Sequence, residues 1–261
     1  MCQIIVGAAN KVMELLSVQG VASSLYANNR DGVGLMYRAG NKVVDERHIP
    51  KNYLDMANWL NTHVPDCDVE VAIHFRMATH GDICPENIHP YPVVDGGLLM
   101  HNGILRGFGT PLEMLNPLRP PKKEVARSDT YHFIEQRIKP LLAAVGWGGL
   151  KDLHDKIGHE IGSGNRLVYL SPVPGEPVQI VNKHTGLEHP SGVWFANDYS
   201  FDSELLFPHL YRAVAKDYGF GSLDDIVWND TVWNAIDTGD FETLYEMANE
   251  DLEAFIKALL N

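Results

Sequence analysis

Basic residues are scarce in this chain. Lys and Arg number 21 against 34 Asp and Glu, a formal charge of -13 at pH 7. A large nucleic-acid footprint needs clustered Lys and Arg, so none is expected. The surplus of carboxylates reads as a solubility charge. Cysteine is scarcer still: Cys2, Cys67 and Cys84. Three thiols at irregular spacing make no disulfide framework. Free thiols suit a reducing compartment, so a cytoplasmic location is expected. No run approaches the roughly 18 apolar residues of a membrane span. The first ten residues lack a basic segment, and IIVGAA is too short for the apolar core of a secretory leader. GSGNR at 162–166 lacks the Lys-Ser/Thr of a phosphate-binding loop. His80, Cys84, His89 and His101 match none of the usual zinc-ligand spacings. Neither a metal nor a cofactor is therefore expected. No internal repeat or low-complexity tract breaks the chain.

What is present is an ordinary globular mixture, 45% hydrophobic and 21% charged over 261 residues. That is enough chain to bury most of its apolar surface without staples. CQIIVGA reads as a buried strand, and GVGLMYR with NKVVD as a hairpin. KNYLDMANWLNTH places Leu54, Met56, Trp59 and Leu60 close to helical period. VEVAIHFRM and GGLLMHNG read as further strands. TPLEMLNPLRPPKKE carries too much proline for regular structure and is expected to be a surface loop. SDTYHFIEQRIKPLLAAV predicts a helix capped by Ser128, with Tyr131, Ile134, Ile138, Leu141 and Leu142 on one stripe. KDLHDKIGHEIG continues as helix. RLVYLSP, PVQIVNK and GVWFAND then read as three strands at hairpin spacing. From about residue 202 the pattern becomes acidic helix, in which Trp228 and Trp233 read as core aromatics. This order predicts an α+β domain: two antiparallel sheets with helices outside, and a helical extension over about 202–261.

Four short segments could carry chemistry. The first is Cys2. Aminopeptidases remove an initiator Met when residue 2 is small, which would leave a thiol and a free α-amine on one residue. An α-amine has a reference pKa of about 7.7–8.0, so it can serve as the thiol's base near neutrality. The plain alternative is a small buried hydrophobe. The second is HFRMATHG at 74–81. Arg76 at a strand end, with Thr79 and His80 beside it, suits a carboxylate; pairing with a structural Asp is the alternative. The third ends HPYPVVDGGLLMHNG. The side-chain N–H of Asn102 and the backbone N–H of Gly103 make a workable oxyanion hole, although Asn-Gly is also a common hairpin turn. The fourth is RSDT at 127–130, where Asp129 can receive a substrate ammonium or simply complement a helix N-terminus. Together they form the parts list for acyl transfer from the side chain of a free α-amino acid.

The ordered pieces MCQIIVG, DGVGL, RMATHG, NIHPY, HNG and SDT resemble the class II, N-terminal nucleophile glutamine amidotransferases over roughly the first 200 residues. The resemblance implies a four-layer αββα fold. It implies Cys2 as the nucleophile that forms a γ-glutamyl thioester, and Asn102 with Gly103 as the oxyanion hole. It implies Arg76, Thr79 and His80 at the glutamine carboxylate and Asp129 at its amine. Two departures stand out: Met77 follows the Arg where many members have Trp, and NNR precedes DGVGL where synthetase-linked members carry Arg-Gly. These favour the stand-alone branch, some of whose members cleave γ-glutamyl amides other than glutamine. Three readings follow: a glutaminase that passes ammonia to a separate synthetase, a hydrolase of another γ-glutamyl amide with no partner, or a non-catalytic subunit that keeps the fold.

Overall fold

The computed structural model describes residues 2–108 and 126–208. The chain divides into two units, Met1–Leu206 and Phe207–Asn261, and the fold below is that of the first. The proline-rich segment 110–124, the helices expected beyond 208, and Trp228 and Trp233 lie outside the described residues.

The unit opens with β1 (Gln3–Ala8), whose first four residues are buried. Helices α1 (Ala9–Leu16) and α2 (Val21–Asn28) follow directly. The sequence pattern did not indicate either one. Neither has a side-chain N-cap, and each spans about two turns, too few for a periodic signal to emerge. β2 (Val33–Ala39) and β3 (Lys42–His48) form the expected hairpin. In α3 (Tyr53–His63), Asn52 caps the N-terminus by accepting from Asp55 N at 2.9 Å. Met56, Trp59 and Leu60 turn inward, but Leu54 is 68% exposed and is not part of the apolar face. Next come β4 (Glu70–Phe75), β5 (Tyr91–Pro92) and β6 (Leu98–Asn102). Ser128 caps α4 (Asp129–Phe133) as its position suggested, accepting from Tyr131 N. A π-helical turn, Ile134–Ile138, then leads into α5 (Lys139–Asp152) and α6 (His154–Ile161). β7 (Arg166–Leu170), β8 (Gln179–Val181), β9 (Leu187–Glu188) and β10 (Trp194–Phe195) complete the unit. No described helix is long and apolar enough to cross a membrane.

The strands make two antiparallel sheets, ordered β3-β2-β4-β1-β10-β9 and β5-β6-β7-β8. With helices around them this is an α+β fold. The period-two alternation of each strand sorts its side chains between two cores. Ile4, Val6, Met36 and Ala72 of the first sheet share one buried cluster with Leu98, Met100, Val168 and Leu170 of the second. The opposite face of the second sheet, with Leu99, Leu167 and Tyr169, packs on Phe133, Ile134, Ile138 and Leu142. β1 lies between β4 and β10, so the residue just before it is held in the middle of a sheet and does not fray.

Gly34 shows why two of the sequence motifs go together. It lies in β2, and the backbone carbonyl of His89 crosses where its Cβ would stand. DGVGL therefore needs its second glycine because NIHPY passes over it. A Gly34→Ala variant must displace main chain, not a flexible side chain. It is expected to lose roughly 1–3 kcal/mol of stability, read as a lowered midpoint in urea unfolding.

Candidate active site

Antiparallel pairing of β1 with β4 sets Gln3 opposite Phe75, which brings Cys2 beside the end of β4. Cys2 is half-buried, and its Sγ lies 3.3 Å from both the N and the O of Met77. Burial pushes its thiol pKa up; the hydrogen bond from Met77 and the Arg76 cation pull the other way. The resting sulfur is thus held as a thiol, and a base must take its proton before it can attack.

Arg76 is the first residue past β4 and is buried. Its backbone is fixed by the DGVGL turn: its N donates to Gly32 O at 2.7 Å, and its O accepts from Asp31 N at 3.0 Å. Asp31 then takes Ala78 N at 2.7 Å, which steers the chain beyond the strand. One arm of the guanidinium, Nη2, donates to His80 O at 3.1 Å. The other, Nη1, is buried and has no hydrogen-bond partner among the described residues. Thr79 and His80 are half-buried, and His80 Nδ1 lies 3.4 Å from Thr79 Oγ1. His80 holds Arg76 through its backbone carbonyl.

Asn102 ends β6, and its Nδ2 donates in a short contact to the backbone carbonyl of Cys2. Its Oδ1 is buried and has no hydrogen-bond partner among the described residues. Gly103 follows with φ 131°, and a Cβ there would overlap the Asn165 side chain. Asn165 is fixed in turn by His101, whose Nε2 lies 2.9 Å from Asn165 Oδ1. Because Oδ1 can only accept, Nε2 carries the proton, and Nδ1 accepts from Thr130 Oγ1 at 2.9 Å.

Asp129 is buried in the first turn of α4. One carboxylate oxygen accepts from Leu105 N at 2.8 Å and the other from Thr130 N at 2.8 Å. It therefore braces the loop that follows Gly103 as well as complementing the helix terminus. A carboxylate has about four acceptor positions, so those bonds leave room for a substrate ammonium.

The N-terminal strand thus brings Cys2 close to both Met77 and Asn102, and Arg76 enters the local field of the thiol, as does Asp129. Sequence reasoning missed the supporting set. Asp31, Gln3, Asn165 and Asn197 all lie in segments that stand out in the sequence, DGVGL, MCQIIVG, GSGNR and GVWFAND, but the long-range partners that give them a role do not show there. Among the described residues no three His, Cys, Asp or Glu side chains are placed to hold a metal ion.

A solved structure of a glutamine aminotransferase class-II domain protein from Silicibacter pomeroyi overlaps 75% of this chain and 87% of its own, with a TM-score of 0.36 and 12% sequence identity. No protein-family model and no curated protein matches the chain. Fold and chemistry here rest on this chain's own residues.

Proposed function

We propose that this protein hydrolyses the side-chain amide of glutamine through Cys2, in the manner of class II glutamine amidotransferases, and that its sheets and helices form the four-layer αββα arrangement of N-terminal nucleophile hydrolases. The observation that carries the reading is the contact of Asn102 Nδ2 with Cys2, 100 residues away in sequence, together with a buried Arg76 whose Nη1 has no hydrogen-bond partner among the described residues. Met1 is removed, and the freed α-amine of Cys2 takes the thiol proton. The thiolate attacks the amide carbon. The oxyanion is received by Asn102 Nδ2 and the Gly103 N–H. As the C–N bond breaks, the amine returns its proton to the departing ammonia, leaving a thioester that water hydrolyses to glutamate. Arg76, with Thr79 and His80, takes the α-carboxylate, and Asp129 the α-ammonium. The cytoplasm is the proposed location, and a separate synthetase the proposed consumer of the ammonia.

One observation favours a second reading, a larger γ-glutamyl amide. Met77, whose backbone touches the Cys2 sulfur, is 42% exposed and stands where many members of the resembled family carry a bulkier Trp over the site. Comparing turnover of glutamine with that of bulkier γ-glutamyl amides separates the two.

Intact-mass spectrometry before and after a glutamine-mimicking diazo-ketone tests the proposal. The expected result is loss of Met1 and one adduct, on Cys2. Retained Met1 with no adduct would remove both base and nucleophile and leave the non-catalytic reading.

A further inference from the structure

The NIHPY stretch does more than cross Gly34. Its first residue, Asn87, is fully buried at the end of a short 3₁₀ turn, Pro85–Asn87. Both N–H groups of its amide are used: Nδ2 donates to Asp82 O at 3.0 Å and to Ala126 O at 2.7 Å. Its Oδ1 accepts from Ser128 N at 3.2 Å. Two carbonyls at one end and an N–H at the other fix which way the amide points. Tyr91, from the same stretch, has its hydroxyl 2.6 Å from Ser128 Oγ. Asp82 adds a second pair of bonds at the surface: its N donates to Ala126 O at 2.9 Å, and its Oδ2 accepts from Ala126 N at 2.9 Å. At Gly81 (φ 73°) the segments meet closely. A Cβ there would come within 2.8 Å of Ala126 O, Asn87 Nδ2 and Ser128 N.

The two segments that Asn87 joins carry the two ends of the proposed glutamine clamp. One runs on from Arg76 at the end of β4, and its Asp82 follows closely on His80, whose carbonyl holds the Arg76 guanidinium. The other leads from Ala126 and Ser128 straight into Asp129. The two receivers have separate footings: β4 belongs to the first sheet, while α4 packs through Phe133 on the second. An α-amino acid presents its carboxylate and its ammonium on the same carbon. Receivers for both charges must therefore keep one fixed separation. We infer that Asn87, with Asp82 beside it, is a positioning residue that sets this separation, and with it the selectivity for substrates carrying both an α-carboxylate and an α-ammonium. This rests on the reading of Arg76 and Asp129 as the glutamine receivers.

The test compares turnover of L-glutamine with that of glutaramate, the same amide without the α-amine, in the full chain. Wild type should favour glutamine in kcat/KM by about tenfold to hundredfold, as expected for one hydrogen bond to a charged group. Asn87→Ala cuts all three bonds. The preference should then fall by about fivefold or more, through a raised KM for glutamine with kcat little changed. A residue that only holds the fold would lower both substrates alike, so an unchanged preference overturns the inference, as does a wild type with no preference. Asn87→Asp keeps the size and the acceptor for Ser128 N but loses both donors; it carries the same comparison if the alanine variant does not fold. Asp82→Ala removes only the exposed bond to Ala126 N and strips no buried group. Its preference should fall the same way by a smaller factor, and if neither Asn87 variant folds, an unchanged preference in Asp82→Ala overturns the inference. The two proposals fail separately. A wild type that leaves glutamine intact overturns the proposed function. The brace is then read by calorimetry, which needs no nucleophile. Wild type should bind L-glutamate more tightly than glutarate, by a ratio that falls in the same variants; equal affinities in wild type, or an unchanged ratio, overturn it.

Discussion

Cys2→Ala protein is expected to fold normally and to release ammonia from glutamine on the order of 10³-fold or more below wild type. The reason lies in what Cys2 touches. It sits half-buried at the head of β1, its sulfur bonds to backbone atoms of Met77, and it belongs to neither of the two apolar clusters described above. Removing the sulfur leaves the carbonyl of residue 2, with the Asn102 and Asn197 side-chain amides that donate to it, where it was. Stability should therefore move by less than about 1 kcal/mol, the usual range for a residue outside the core. Catalysis has no substitute, since the remaining thiols, Cys67 and Cys84, belong to other parts of the chain and neither precedes a strand held in this way. The measurement pairs ammonia release with a thermal melt. Retained turnover in a well-folded Cys2→Ala protein would sink the nucleophile assignment, and Met1 removal would lose its relevance with it.

How much of this was legible in the residues depends on the range over which each signal acts. The strands β1, β2, β3, β4, β6 and β7 announced themselves because alternation and turn chemistry are local. So did the Ser128 cap. α1 and α2 stayed hidden because eight residues without a capping side chain carry little pattern. The seven candidate residues were found as types at motif spacing, but spacing could not say which atoms they use. Asp129 proved to brace Leu105 with one oxygen, and His80 to serve Arg76 through its carbonyl. Asn197 and Gln3 were out of reach for another reason. A buried amide is recognisable only by its partners, and all those of Gln3 but Ile4 N lie 193 to 194 residues away.

The second large effect concerns acid. His74 in β4, His89, and His101 in β6 are all buried, and the rings of His74 and His89 lie 4.1 Å apart between centroids. Burial drives all three below the usual histidine range, His74 to about 3. The charged neighbours deepen the shift: Arg76 acts on His74 and His89, and Arg47 on His89, while Asp129 opposes it at His101. In the unfolded chain each ring would take a proton near pH 6.5. The folded state cannot, so as pH falls below about 6.5 the unfolded state binds more protons and stability drops. For His74 alone the loss by pH 4.5 is about 3 kcal/mol. Self-repulsion works in the opposite direction, because the chain carries -13 at pH 7 and its pI is about 5.3, so mild acid relieves it. The sign of the slope between pH 7 and pH 5.5 therefore decides which effect wins. Urea unfolding should show stability falling over that interval, and His89→Asn, which has no proton to gain, should fall less steeply. Stability that holds or rises down to pH 5.5 would mean that relief of charge repulsion outweighs the three rings, and equal slopes for wild type and His89→Asn would mean that His89 accepts a proton in the folded state.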